Sequence, residues 1–253
     1  ALTIASTLAW GLGYFGMPHI LLRFMAIEKV GKIKLARRVA SIWVVISMAV
    51  AIVIGIVGYG VVKSGKVAGL EDSERIIIEI SKLISENNAF LAIVAGVIIA
   101  GILAATMSTA DSQLLGTASA VSEDMYKGAL NKKASEKNAL LVGKFAVIAV
   151  AIFAYVIALD PDSSVMGLVS NAWAGFGAAF GPVVLLSLFW KRFTYKGAVA
   201  GIITGALVDM LWLWLPVSGG MALTALTGIY EIIPGFIIGG IVAVIFTLFD
   251  AAP

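Results

Sequence analysis

The sequence predicts an all-α membrane protein, and three observations support that class. Hydrophobic residues make up 60% of the 253 residues and charged residues only 13%, with a mean hydropathy of +1.03. A soluble domain of this length cannot bury so much apolar surface. The apolar residues form stretches long enough to cross a hydrocarbon core of about 30 Å. Strand-like alternation over units of about ten residues is absent, which favours a helical bundle over a barrel.

About seven stretches are long and apolar enough to be transmembrane helices. The predicted spans cover residues 4–21, 39–62, 90–111, 139–159, 165–190, 197–216 and 232–249. Residues 71–85 are too few and too polar to span, but their isoleucines and leucines interleave with charges. This pattern predicts an amphipathic helix that lies on the external surface or plugs a vestibule. The chain, residues 1–253, is expected to form a single transmembrane domain.

Basic residues predict the orientation, because loops rich in Lys and Arg stay in the cytoplasm. Residues 23–38 contain six of them, residues 127–144 five and residues 191–196 three, whereas the opposite side has four. We therefore expect a multi-pass protein of the plasma (inner) membrane, with Ala1 outside and Pro253 in the cytoplasm. The basic residues form no nucleic-acid recognition motif, so nucleic acid is not an expected partner.

The composition also narrows the chemistry. The chain has no cysteine and a single histidine, His19, which excludes thiolate and histidine-based metal sites. A Gly-rich phosphate loop with a lysine is absent, so the sequence does not predict the use of ATP. We do not expect an enzyme. The chain begins within an apolar span that has no signal-peptide features, and we interpret it as the later part of a longer protein.

The first span combines three glycines, at positions 11, 13 and 16, with Pro18. Glycine relaxes the backbone and proline removes a donor, so we expect a break or kink in this helix. Broken helices expose backbone groups near the bilayer midplane, where transporters bind substrates and ions. Trp10, Tyr14 and Pro18 recur every four residues and could share one face. The alternative is an interfacial aromatic belt.

The third span contains the most informative polar run, residues 101–115. Ala105, Ser108, Thr109 and Ser112 follow the i, i+3, i+4, i+7 pattern and form one helical stripe. A hard cation prefers oxygen ligands, and two hydroxyls with a carbonyl one turn earlier supply about three of its five or six ligands. The alternative is that these hydroxyls bond to their own i−4 carbonyls or join helices together.

Four further polar residues need interpretation. Asp111 and Gln113 follow the stripe by one turn, and we place Asp111 near the cytoplasmic boundary. Asp209 falls within the sixth span, where a carboxylate costs about 2.5 to 3.5 kcal/mol on insertion scales. This cost suggests a proton-coupling role, but we favour an acid that is partnered or faces a helix interface. We expect Glu231 to be solvated at the outer boundary.

Four separated motifs indicate a family. They are WGLGYFGMPH at 10–19, AATMSTADSQ at 104–113, AWAGFGAAFGP at 172–182 and YEIIPGF at 230–236. Together they resemble the sodium:solute symporter family, most closely its sodium:proline symporters. The resemblance implies the inverted-repeat fold typified by the bacterial leucine transporter. Residues 1–190 would then be the second five-helix repeat and residues 191–253 two further helices, with the first repeat absent.

The resemblance implies a sodium site on the third span. Ala105, Ser108 and Thr109 match the family's sodium ligands there. The remaining ligands would come from the broken helix of the missing first repeat. Asp111 and Gln113 would lie below this site, at the cytoplasmic exit.

The resemblance also implies a substrate site on the first span. Trp10, Tyr14 and Pro18 match positions implicated in substrate binding and gating. Met17 stands where close relatives are expected to have glutamine. The resemblance to sodium:proline symporters favours proline as the substrate, and the departure at Met17 leaves another small amino acid or an organic acid open.

We therefore predict sodium-coupled secondary transport of a small solute, with proline favoured, by alternating access within a longer parent protein. Sodium is the expected cofactor. The lipid bilayer and the missing first repeat are the other expected partners. Two alternatives remain open: a transporter-like membrane sensor or input module of a signalling protein, and an inactive half-transporter.

Overall fold

A computed structural model describes residues 2–67, 70, 72–160, 164–218 and 220–251. The elements in chain order are α1 (Leu2–Gly13), α2 (Pro18–Met25), α3 (Ile33–Lys63), α4 (Ile76–Ser85), α5 (Ala89–Ser119), α6 (Glu136–Ala158), α7 (Val165–Phe189), α8 (Tyr195–Trp214), β1 (Pro216–Ser218), β2 (Met221–Ala222), α9 (Leu223–Thr227) and α10 (Ile232–Phe249). Ala1, Glu71 and Pro253, which entered the predictions above, lie outside the described residues.

The helices confirm the all-α membrane class. In the described part of the chain, six helices are long and apolar enough to cross a membrane: α3, α5, α6, α7, α8 and α10. The first predicted span corresponds to the shorter apolar helix α1 together with α2. Helix α10 has the predicted bounds. Helix α5 continues past the predicted end of its span to Ser119, and a π-helix follows over Ala120–Leu130.

The predicted break in the first span is confirmed. Helix α1 ends at Gly13, and the N–H of Gly16 donates to the Gly13 carbonyl at 3.0 Å in the turn that follows. Met17 is extended, with φ −80° and ψ 115°, and Pro18 begins α2. Proline suits this first helical position because its missing N–H has no helical partner to lose.

The segment between α8 and α10 was not predicted to be structured. The antiparallel pair of β1 and β2 is followed by the short helix α9. Gly220 in the turn has φ +82°, and Gly228 after α9 has φ +66°. Both conformations favour glycine because other residues meet a Cβ clash there.

The chain forms two compact units, one of Ala1–Ala26 with Ala149–Pro253 and the other of Ile27–Ile148. In the second unit, α4 packs against α5 and places Ile76 against Gly58 of α3. The predicted amphipathic helix is therefore present, from Ile76 to Ser85. Its proposed surface or plugging role stays a prediction.

The first unit is built around α7, α8 and α10, with α1 packed on α7 and α10. Helices α8 and α10 meet along an antiparallel seam in which small residues recur every four positions. The α8 series is Gly197, Gly201, Gly205 and Asp209, and it faces the α10 series Thr247, Ala243, Gly239 and Gly235. A Cβ on Gly201 would lie 2.7 Å from the Cβ of Ala243. Small residues allow this close approach in membrane helices.

Candidate functional site

An aromatic cluster joins the end of α1 to α7 and to the segment before α10. The ring of Trp10 stacks on Trp173 with centroids 5.9 Å apart and on Tyr230 with centroids 6.0 Å apart. Tyr14 meets Trp173 edge to face at 4.8 Å. Such pairs contribute about 0.5 to 1.5 kcal/mol beyond the area they bury. The cluster therefore fixes the last turn of α1 in place.

Hydrogen bonds hold this cluster in register. The indole N–H of Trp173 donates to the backbone carbonyl of Trp10 at 2.9 Å. The hydroxyl of Tyr230 donates to the carbonyl of Ser170 at 2.7 Å, and its backbone N–H donates to the Ser6 hydroxyl at 3.2 Å. Carbonyls at the end of a helix lack intrahelical partners, so the Trp173 bond satisfies a group that the break would otherwise leave open.

The glycines of the break lie directly against α7. A Cβ on Gly13 would overlap the indole of Trp173, and one on Gly16 would overlap the carbonyl of Phe176. On the α7 side, a Cβ on Gly177 would lie 2.7 Å from the Cα of Gly13. The backbone at the break can approach α7 this closely only because these positions have no side chain.

The three predicted substrate residues occupy different local environments. Trp10 is in α1 and half-buried, Tyr14 is in the turn and 55% exposed, and Pro18 is the exposed first residue of α2. The helix break between them means that the four-residue spacing does not form a continuous helical stripe. Trp173 nevertheless contacts both Trp10 and Tyr14 and so brings these two residues together. Their role in substrate binding stays a prediction.

Met17, the residue that departs from the expected family pattern, is buried at 8% exposure. Its carbonyl accepts hydrogen bonds from the N–H groups of Ile20 and Leu21, both at 3.1 Å. Met17 therefore closes the first turn of α2 through its backbone, while its side chain contributes only apolar packing.

Trp173 and Tyr230 were not singled out as site residues by sequence reasoning. Both lie inside motifs that carried the family resemblance, at 172–182 and 230–236. The motifs therefore pointed to these two residues. Their contact with Trp10 was not predictable, because each lies more than a hundred positions from Trp10 in the sequence.

The predicted sodium residues lie on α5, in the other compact unit. Ala105, Ser108 and Thr109 are exposed, as is Ser112. The Thr109 hydroxyl donates to the Ala105 carbonyl at 3.2 Å, and the Ser112 hydroxyl donates to the Ser108 carbonyl at 2.9 Å. The i−4 bonding that we gave as the alternative is therefore present. It engages the hydroxyl hydrogens and leaves lone pairs on the oxygens.

The oxygen atoms on this face are of the kind that a hard cation binds. A carbonyl oxygen has two lone pairs, and inside α5 the Ala105 carbonyl accepts both the helical N–H and the hydroxyl of Thr109. The hydroxyl oxygens of Ser108 and Thr109 keep acceptor capacity. Ser108 and Thr109 thus offer two neutral hydroxyl oxygens, which is the ligand chemistry of a hard cation. The carbonyl of Ala105, the third predicted ligand, is occupied by Thr109 in this structure. Two oxygens are about a third of a coordination shell of six.

Asp111 and Gln113 are exposed on the next turn of α5. At a rise of about 1.5 Å per residue, Asp111 lies about 33 Å along α5 from Ala89. This length is close to that of a hydrocarbon core, which is consistent with the boundary position expected for Asp111. Their place at a cytoplasmic exit stays a prediction.

One expectation about the acids was wrong. Glu231 is not solvated: it is 2% exposed and accepts a hydrogen bond from the Thr224 hydroxyl at 3.4 Å. Helix α9 causes this burial by placing Thr224 between Glu231 and the carbonyl of Trp212. Burial raises the pKa of Glu231 above its ordinary value, and the hydrogen bonds that it accepts oppose that rise. Asp209 faces a helix interface, as favoured above, and is 4% exposed.

The helices, the broken first span and the two sets of polar and aromatic residues together define a multi-pass helical membrane protein. Residues 1–205 match the model of the sodium:solute symporter family. The chain belongs to the sodium:solute symporter family.

The curated relatives agree with this assignment. The osmoregulated proline transporter OpuE of Bacillus subtilis is 42% identical over 252 residues, which cover 100% of this chain and 49% of that protein. The sodium/proline symporter of Escherichia coli is 44% identical, covering 99% of this chain and 48% of that protein. The high-affinity proline transporter PutP of Bacillus subtilis is 46% identical, covering 93% and 47%. The chain thus spans about half the length of these relatives. No solved structure matches it.

Proposed function

We propose that this chain is the second half of a sodium-coupled symporter that carries a small amino acid, with proline as the substrate. The observation that carries the proposal is the match of nearly the whole chain to proteins named as sodium/proline symporters. The broken first helix and its aromatic cluster support it, because broken helices build substrate sites in transporters. The relatives are named as transporters and symporters, which favours transport over the sensor alternative.

A missing first repeat would complete the molecule. Ala105, Ser108 and Thr109 are exposed on a helix of 31 residues that is otherwise apolar. Polar groups facing lipid are unfavourable, so this face needs a polar or protein partner. A first repeat with its own broken helix would cover the face and provide the other oxygen ligands. Residues 1–190 would be the second repeat and residues 191–253 two further helices.

Transport would run by alternating access between outward and inward states. Sodium would bind at Ala105, Ser108 and Thr109, and the substrate at Trp10, Tyr14 and Pro18. One positive charge moving inward through about 100 mV gains roughly 2.3 kcal/mol. The coupling is reciprocal, so sodium raises substrate affinity by the same factor by which substrate raises sodium affinity. Asp111 and Gln113 would border the cytoplasmic exit.

The distribution of basic residues supports an inner-membrane protein with Ala1 outside and Pro253 inside. Cytoplasmic loops are rich in Lys and Arg, and residues 23–38 and 127–144 are the richest stretches of the sequence. Accessibility of single cysteines introduced into these two loops to a membrane-impermeant thiol reagent tests this orientation. Labelling in intact cells would contradict it, and these 253 residues contribute no native cysteine to the background.

Uptake of radiolabelled proline by the full-length protein in proteoliposomes tests the function. We expect uptake when sodium is outside and loss of that uptake when choline replaces sodium. Unlabelled proline should compete, whereas glutamate, with its additional negative charge, should not. Uptake that is unchanged in choline would overturn sodium coupling. Sodium-dependent uptake of another labelled small amino acid, with none of labelled proline, would overturn the substrate alone.

A further inference from the structure

Two buried carboxylates lie at the end of the α8–α10 seam that is nearest α9. Asp209 is 4% exposed and Glu231 is 2% exposed. Asp209 occupies the fourth position of the α8 repeat, after three glycines, so packing alone would favour a small apolar residue there. Its Cβ lies 3.4 Å from where a Cβ on Gly235 would be, and Gly235 follows Glu231 by one helical turn. Asp209 therefore packs against α10 about one helical turn from Glu231.

The surroundings provide no positive charge for this pair. None of the ion pairs within the described chain includes Asp209 or Glu231. The Oδ1 atom of Asp209 is buried and lacks a hydrogen-bond partner in the described chain. An unpaired buried charge is strongly unfavourable, and two adjacent carboxylates also repel each other. A proton or another cation must therefore neutralise the two carboxylates while α8 and α10 are packed together.

The geometry selects the proton among cations. The Oδ1 atom has less than 1 Å² of accessible area, so a hydrated ion or an amine cannot reach it. The described residues contain no group of three or more His, Cys, Asp and Glu side chains that could hold a divalent metal ion. The backbones of Gly175 and Gly235 close the space around Asp209. A bare proton is the cation that fits at the enclosed Oδ1 atom.

A route for the proton lies beside the pair. A cavity of about 360 Å³ between α7 and α8 has Asn171 and Asp209 in its lining, with apolar residues around them. Asp209 is thus at the wall of a space that a proton donor can enter, although its Oδ1 is enclosed. The indole N–H of Trp212, one turn along α8, is a second buried group without a partner in the described residues.

We propose that Asp209 and Glu231 form a proton-binding site that holds one proton while the α8–α10 seam is closed. The titratable groups around it come from the segment before α10, namely Glu231 and Tyr230. Helix α7 faces Asp209 with Gly175, α10 with Gly235, and α9 reaches Glu231 through the Thr224 hydroxyl. At higher pH the proton leaves to solvent, and the resulting pair of charges weakens the seam.

The site is linked to the aromatic cluster through one residue. Tyr230 precedes Glu231 in the chain, and its ring stacks on Trp10. Loss of the proton would therefore disturb the segment that holds the end of α1. This adds a pH-sensitive element that sodium-coupled proline transport does not itself require.

Infrared difference spectroscopy of the full-length protein in liposomes, between acid and alkaline pH, tests the site directly. We expect the carbonyl-stretch band of a protonated carboxylic acid in the wild type, and its loss in D209N or E231Q. The matched control is D124N, which removes an exposed carboxylate and should leave the band intact. An absent wild-type band, or a band unchanged in both D209N and E231Q, would overturn the proposal. If one variant fails to fold, the other decides.

Uptake as a function of pH is the second readout. Asparagine imitates the neutral acid, so D209N should retain uptake at acid pH and lose the decline at alkaline pH that we expect of the wild type. A decline that is the same in D209N and wild type would contradict the link to transport. The infrared measurement needs neither sodium nor proline, so failure of the proposed function and failure of this site are distinguishable.

Discussion

At Gly13 the packing leaves room for no side chain larger than hydrogen. The indole of Trp173 lies where a Cβ would be, and that indole also donates to the carbonyl of Trp10. Any substitution at Gly13 must therefore displace the residue that joins α1 to α7. Gly11, two residues earlier, has open space around its Cα.

We expect Gly13→Ala to destabilise the protein by about 1 to 3 kcal/mol, the usual cost of overpacking a filled site. Gly11→Ala is the matched control and should be neutral or stabilising by about 0.5 to 1 kcal/mol, because alanine favours the helix. Thermal unfolding of the purified protein in detergent measures both. Equal melting temperatures for the two variants would contradict the close packing at the break.

Glu231 makes stability depend on pH. A folded-state pKa raised by burial means that the folded protein binds this proton more tightly than the unfolded chain does. Stability is therefore greatest at low pH and falls as the pH rises from the ordinary glutamate pKa through the folded-state value. E231Q should remove this fall, so its melting temperature should exceed that of the wild type increasingly toward alkaline pH. A difference that is independent of pH would contradict the burial of an ionisable Glu231.

These residues show what sequence can and cannot predict at this scale. The break before Pro18 was predictable because glycine and proline act on their own backbone. The burial of Glu231 was not, because it depends on Thr224 of α9, a helix of five residues with no hydrophobic periodicity long enough to detect. The stacking of Tyr230 on Trp10 depends likewise on distant packing.

At the scale of elements, the seam between α8 and α10 holds the first unit together. Its series of small residues brings backbones into contact, so the stabilisation comes from close packing rather than from large apolar side chains. Two neighbouring glycines of α10, Gly239 and Gly240, differ in the space available for a side chain. A Cβ on Gly239 would lie 3.0 Å from the Cα of Gly205, whereas one on Gly240 would lie 3.4 Å from the Cβ of Pro182.

We expect Gly239→Ala to separate the two helices and lower stability by about 1 to 3 kcal/mol, since backbone atoms cannot yield as a side chain can. Gly240→Ala introduces only an ordinary contact and should change stability by less than about 1 kcal/mol. Thermal unfolding of the two variants in the same detergent makes the comparison. A larger loss in Gly240→Ala would show that the seam is not the tight interface.

Most spans were predictable because a transmembrane helix needs only length and hydropathy. The extent of α5 was not, because hydropathy falls at Asp111 while the helix continues to Ser119. The polar residues there contain no proline to end it, and their hydroxyls bond within the helix, as Ser112 does to Ser108. The β1–β2 pair was missed because strands of two and three residues give no period.

At the scale of the whole molecule, the chain holds two candidate sites in separate compact units. The aromatic cluster around Trp10 is assembled within one unit, whereas the hydroxyl face of α5 is exposed in the other. The polar residues of that face were predictable from the sequence. The ligands that would complete the coordination shell were not, because such a shell needs ligands from more than one helix. The relatives, about twice as long, are consistent with a partner repeat.

The sodium dependence of proline uptake by the full-length protein, compared between S108A/T109A and wild type, tests the central claim most directly. We expect the double variant to need at least tenfold more sodium for half-maximal uptake, because it loses two oxygen ligands. Thr106→Ala is the matched control: the Thr106 hydroxyl donates to the Ile102 carbonyl of the same helix at 3.0 Å, outside the proposed ligand set. It should leave the sodium requirement unchanged. An unaltered sodium requirement in S108A/T109A would contradict a sodium site on α5.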